Sequence, residues 1–204
     1  PVQEMHTTGE WLLVAQVNVI LVSLLPLAFS RYIPFNLVTA ANGQFMMFDA
    51  GVYDQQRFHE KLRTTVVEDV AIAQYIKGKG LKIRTALSPA GLSCRMYHNY
   101  REALNGLGRS ARFFFGGSII AGWLYVFFAL FGWLAVLLAF PMIWLAVYFL
   151  LLVTMRIFVA IASRQSVMKN ILLMPLQPIT LFHLFFTATR QHVQQKSTWK
   201  GRPL

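Results

Sequence analysis

Acidic side chains are scarce in this sequence. Its eight carboxylates, Glu4, Glu10, Asp49, Asp54, Glu60, Glu68, Asp69 and Glu102, all precede residue 103 and face nineteen Lys and Arg, for a net charge of +11. Such an excess would suit a polynucleotide, but its distribution argues for another reading. The nine bases after residue 103 (Arg109, Arg112, Arg156, Arg164, Lys169, Arg190, Lys196, Lys200, Arg202) flank the most apolar part of the chain. There they hold flanks on the cytoplasmic side of a membrane and attract anionic lipid. Nucleic acid is therefore not an expected partner. Cysteine is nearly absent: Cys94 stands alone, which excludes an intrachain disulfide and a cysteine zinc cluster and suits a reducing compartment. The histidines, His6, His59, His98, His183 and His192, have no carboxylates at metal-ligand spacing and read as surface or interface residues. Repeats and low-complexity tracts are also lacking.

What remains is apolar: 56% of the residues are hydrophobic, 14% aromatic and only 13% charged, the composition of a membrane protein. Residues 118–155 carry no charge at all. That is too long for one crossing of a ~30 Å hydrocarbon layer, and Pro141 breaks a helix at about Phe140, so two spans joined by a tight reversal are expected within 113–160. Residues 11–29 are almost long enough to span but hold Gln16, Asn18, Ser23 and Pro26. Region 1–30 is accordingly an interfacial, protein-packed or membrane helix. It lacks the preceding positive charge and the cleavage site of a signal peptide. Residues 171–188 are broken by Pro175 and Pro178 and lead to a basic tail. Region 161–204 thus reads as a re-entrant or interfacial helix, or a kinked span.

Between these lies a water-facing unit, 31–112. Residues 44–48 (QFMMF), introduced by Asn42 and Gly43, read as a short buried strand, and residues 82–87 alternate as a half-buried one. Between them Thr65 and Glu68 fit a capping box, Val70, Ala71 and Ala73 continue a helix, and Gly78 and Gly80 end it. Strand, helix, strand is the order of an α/β unit. Asp69, in the first turn of that helix, is a candidate general base, because a carboxylate at a loop-to-helix junction can face a cleft and accept a hydroxyl proton. Equally, Glu68 and Asp69 are where acids serve the helix dipole.

Asn42-Gly43-Gln44-Phe45, Tyr53, His59-Glu60, Arg63, Val67-Glu68-Asp69-Val70-Ala71, Lys77, Gly80-Leu81, Cys94-Arg95-Met96-Tyr97 and the terminal Thr198-Trp199-Lys200-Gly201-Arg202 follow in order. Together they strongly resemble the family 2 glycosyltransferases, in particular the membrane-bound enzymes associated with hopanoid and carotenoid glycosylation. The resemblance covers most of the chain. It implies the C-terminal portion of a GT-A fold, α/β in class, joined to transmembrane helices, with the whole mostly helical by residue count. It implies an inverting transfer of sugar from a nucleotide-sugar donor to a lipid acceptor at the cytoplasmic face of the cell membrane. Asp69 would be the base and Glu68 its neighbour, positioning the helix. Asn42, Gly43 and Gln44 would form the acceptor-side entry. Arg95 and Tyr97 would meet donor diphosphate or lipid near the membrane surface; alternatively, Arg95 forms a structural ion pair.

Three departures limit the likeness. The family's Asp-x-Asp motif is absent, since no two acids stand two residues apart; the donor-binding half and the ligands of the expected Mg or Mn ion are not in this chain. In place of the Gln-x-x-Arg-Trp of processive polysaccharide synthases stands Arg95-Met96-Tyr97-His98-Asn99, which argues against polymer synthesis. Arg57-Phe58 replaces an expected Gly-Gly, and Asp49 an expected Arg. Pro1 in place of an initiator Met points to a segment of a longer chain, inactive by itself. A non-catalytic membrane scaffold of the same ancestry is the alternative. A transporter or channel, which needs ionisable groups inside its spans, ranks last.

Overall fold

The computed structural model describes residues 1–24, 41–63, 65, 67–86 and 91–194, together with the backbone of 198–199 and 202–203. Most described residues are helical. Helix α1 (Thr8–Leu24) starts at a capping box: Thr7 Oγ1 accepts the Glu10 amide at 3.4 Å while the Glu10 carboxylate accepts the amides of Thr7 at 2.6 Å and His6 at 2.5 Å. Helix α5 (Tyr100–Ser110) repeats the device, with the Asn99 side chain accepting from the Glu102 amide and Glu102 from the His98 amide. A short 3-10 helix (Ala111–Phe115) ends at Gly116 and Gly117, both at positive φ, where a side chain would be strained.

The apolar hairpin follows. Helix α6 (Ile119–Ala139), capped by Ser118, and helix α7 (Met142–Ala162) reverse through Phe140 and Pro141, as the proline requires. Both are long and apolar enough to cross a membrane. They leave Phe127, Phe128, Leu138, Ile143, Leu150 and Phe158 more than half exposed, a surface that suits lipid better than water. Helix α7 runs on past the expected limit, so that Arg156 lies inside it instead of flanking it. Helices α8 (Val167–Leu172) and α9 (Gln177–Val193) divide the C-terminal apolar stretch, with Pro175 in the turn between them and Pro178 in the first turn of α9, where a missing amide costs nothing.

Helices α1, α5, α6 and α9 enclose the main core, in which Leu13, Val14, Ile20, Leu104, Leu107, Leu181 and Phe185 are buried. Two close approaches fix it. A Cβ on Gly9 would lie 2.6 Å from that of Tyr100, and one on Gly122 2.0 Å from the Phe185 ring, so α1 and α5, and α6 and α9, come this close at those points because glycine stands there. The α5 segment thereby belongs to the helical bundle.

A smaller cluster holds the residues between. Helices α2 (Ala50–Gln56), α3 (Phe58–Leu62) and α4 (Glu68–Gly78) gather Phe58, Ile72 and Ile76, with Met46, Phe48, Tyr53, Leu81 and Ile83 packed around them. Both expected strands are corrected here. Residues 44–48 and 82–86 form no ladder among the described residues, although Leu81, Ile83 and Thr85 are half-buried and Lys82, Arg84 and Ala86 exposed. The alternation in burial holds without a ladder, because Leu81 and Ile83 pack on the cluster of Phe58, Ile72 and Ile76. Leu87, Leu25–Ala40, Lys200 and Gly201 lie outside the described residues, and with them the ends of expected elements. The strands that are present are short: β1 (Val2–Gln3) pairs in parallel with β2 (Ser93–Cys94), and β3 (Thr198–Trp199) antiparallel with β4 (Arg202–Pro203). An α/β sheet is not formed among the described residues.

Candidate active site

Asp69 occupies the second position of α4. The helix is preceded by Val67, which makes no side-chain cap, so the expected Thr65–Glu68 capping box is not formed. Asp69 turns across the chain. Its Oδ2 accepts the backbone amide of Gly43 at 2.7 Å, and Oδ1 that of Val70 at 2.9 Å. Gly43 is exposed, and a Cβ there would stand 3.3 Å from Oδ2, so glycine makes the approach easy. The close approach is made to the carboxylate of the same chain. Each carboxylate oxygen has two acceptor sites, so one bond apiece leaves capacity for a hydroxyl proton.

Asn42 and Gln44 shape the turn that presents the Gly43 amide. Asn42 Oδ1 accepts the Gln44 amide at 3.0 Å, an Asx turn. The Gln44 side chain then exchanges amide bonds with that of Gln3, at 2.6 Å from Gln3 Nε2 to Gln44 Oε1 and 3.4 Å in return. Because Gln3 pairs with Cys94 across β1 and β2, a continuous path of contacts runs from Asp69 through Gly43, Gln44 and Gln3 to the residue before Arg95. Four expected site residues, Asn42, Gly43, Gln44 and Asp69, are thus brought together. Glu68 is half-buried at the start of α4 and has no hydrogen-bond or ion-pair partner among the described residues.

Arg95 is held differently. Its Nε and Nη2 both reach Glu10 Oε1 at 2.9 Å, and Glu10 is wholly buried. Burial works to raise the Glu10 pKa, but the amides of Thr7 and His6 and the Arg95 guanidinium outweigh it and hold the carboxyl at about 2, well below the 4.5 of an ordinary glutamate. The structural ion pair considered for Arg95 is therefore present, with its guanidinium still partly open to solvent. Tyr97 packs its ring on Gly106, where a Cβ would lie 2.4 Å away. Burial pushes its phenol pKa up; Arg109 opposes this and Glu102 adds to it. Tyr97 is a wedge between α5 and the loop before it.

Glu10 was missed by reading the sequence for carboxylates near helix starts in 31–112 alone. The signal was available: Thr7 and Glu10 have the Ser/Thr-x-x-Glu spacing immediately before an apolar run. An aromatic shelf lies beside the α4 helix, where Phe48, Tyr53 and Phe58 are in mutual contact, and the Tyr53 hydroxyl meets His59 Nδ1 at 2.9 Å. As for metal, the described residues contain no group of three His, Cys, Asp or Glu able to hold an ion, so the residues present do not fit the divalent cation expected with the donor.

Family models, curated proteins and solved structures yield no match to this chain.

Proposed function

We propose that this chain is the acceptor-side, membrane-associated part of an inverting family 2-like glycosyltransferase with a GT-A-like catalytic domain. Its parent transfers a sugar from a nucleotide-sugar donor to a lipid hydroxyl at the cytoplasmic surface of the membrane. One observation carries the reading: the Asp69 carboxylate is bonded to the Gly43 amide across 26 residues, joining the expected base to the expected acceptor entry. In this role Asp69 takes the proton of the lipid hydroxyl as the oxygen attacks the anomeric carbon, while the bond from that carbon to the donor diphosphate breaks on the opposite face. A positioned carboxylate of this kind contributes roughly 10²–10⁴-fold. Asn42 and Gln44 are positioning residues, holding the turn. The apolar hairpin holds the chain at the membrane, where a lipid acceptor is presented, and replaces a bimolecular encounter by a local one. Donor binding, and any metal with it, falls to residues other than those described.

A second reading, a scaffold without catalysis, draws on the engagement of Arg95 by Glu10, which commits to the fold the guanidinium expected to meet the donor diphosphate. One assay separates the two. The protein expressed from its complete coding sequence is reconstituted in vesicles with a lipid extract and offered radiolabelled nucleotide sugars with Mg or Mn. Label in the organic phase is expected; its absence with every donor rejects the transferase reading and leaves the scaffold.

A further inference from the structure

The chemistry at the base of the hairpin is independent of sugar transfer. Helix α7 continues to Ala162, which puts Arg156 about 9 Å inside its end at ~1.5 Å per residue. Arg156, Val159, Ala160 and Ser163 share one helix face by their spacing, and the last three are buried. Arg156 Nη1 donates to Gln177 Oε1. Gln177 is itself fully buried and donates through Nε2 to the Trp11 carbonyl at 3.5 Å. Over the ring of the same Trp11 stands Lys169 Nζ, 5.0 Å from its centroid. Trp11 thus lies between the two: its ring is under Lys169, and its carbonyl accepts from the Gln177 amide that Arg156 engages.

Neither cation has an acidic partner. The ion pairs among the described residues are made by Glu4, Glu10, Glu60 and Glu102, and no acid follows Glu102 in the chain. Lys169 is exposed, but Arg156 is half-buried, and a charge partly withdrawn from water without a counter-ion is costly; the neutral amide of Gln177 orients Arg156 without neutralising it. Nearby, Ser163 Oγ and Gln165 Nε2 are buried with no protein partner among the described residues. The seam is thus rich in donors and poor in acceptors. A phosphate group is the complementary ligand, because it is an anion, accepts many hydrogen bonds and matches the planar guanidinium fork. Its position at the foot of two apolar helices calls for a phosphate carried on acyl chains.

We propose that Arg156 and Lys169, with Gln177 as the orienting residue, form a binding site for the phosphate headgroup of an anionic lipid whose chains lie along the hairpin. Full-length protein, stripped of lipid in detergent, is offered equal amounts of phosphatidylglycerol and phosphatidylcholine, and bound lipid is counted by native mass spectrometry. One phosphatidylglycerol should be retained per chain, at least tenfold over phosphatidylcholine. Retention should fall severalfold in Lys169→Gln, vanish in Arg156→Gln and survive in Arg156→Lys. Equal retention of the two lipids would overturn the site, as would unchanged phosphatidylglycerol binding in folded Arg156→Gln. Should Arg156→Gln fail to fold, Lys169→Gln decides alone, since that side chain is exposed on α8 and its loss leaves the core intact; binding equal to wild type rejects the proposal. Displacement by millimolar inorganic phosphate would assign the site to a free anion and reject the lipid.

Discussion

At the residue scale, Glu10 links two parts of the molecule that composition treats as separate. It closes the first turn of α1 and neutralises Arg95 from beneath. Replacing it with Ala leaves Arg95 facing a buried gap and the amides of His6 and Thr7 unmatched, and should destabilise the protein by about 3 kcal/mol, read as a loss of thermal or denaturant resistance in detergent. Its pKa gives a second signature. The folded value near 2 lies below the 4.5 of a free glutamate, so the stabilisation is fully present above pH 4.5 and is lost as pH falls from there to about 2. The Glu10→Gln variant should show a flatter stability profile across that window; an unaltered profile would mean that another group titrates there. Glu10 also shows how much of the site the sequence disclosed. The helix carrying Asp69 was legible from its apolar run and its glycine stop, whereas the Asx turn at Asn42 was read as the entry to a strand. The partner of Arg95 was not legible, because an ion pair across 85 residues leaves no local trace.

At the scale of elements, the hairpin was readable almost residue by residue. A charge-free run interrupted by one proline admits few arrangements in a bilayer, and the reversal falls at Phe140 and Pro141 as expected. The extended segments were less so. Period-two alternation reports which side of a segment is covered, and it did so correctly for residues 81–86; it does not report whether a neighbouring backbone is present to pair with. Packing between helices was also hidden. Gly9 stands in the first turn of a helix where composition alone would favour any residue, yet its contact with Tyr100 holds α1 against α5. Gly9→Ala should force the helices apart and cost about 1–3 kcal/mol, measurable as a lowered unfolding midpoint. A neutral substitution would show that the two helices part at no cost.

At the scale of the whole molecule, the bundle of α1, α5, α6 and α9 continues through α6 into the lipid-suited hairpin of α6 and α7. The bundle is assembled from both ends of the chain, α1 with α5, α6 and α9, which sequence order does not reveal. Topology follows from the hairpin: Gly117 and Arg164 should lie on one side of the membrane and Phe140 on the other. With Cys94 replaced by Ser, single cysteines at the exposed position 118 and at 164 should be labelled by an impermeant reagent only from one side, the cytoplasmic side in the proposed function, and one at 140 only from the opposite side. Labelling of all three from one side would mean that the hairpin lies in the interface without crossing it.

The most direct measurement compares two neighbouring carboxylates in the reconstituted full-length protein. Asp69→Asn keeps an oxygen for the Gly43 amide but cannot take up a proton, and Glu68→Gln alters a side chain with no partner among the described residues. Lipid glycosylation should fall at least ~100-fold in the first, at unchanged helicity, and stay within a fewfold of wild type in the second. Turnover in Asp69→Asn equal to wild type would contradict the assignment of Asp69 as the base.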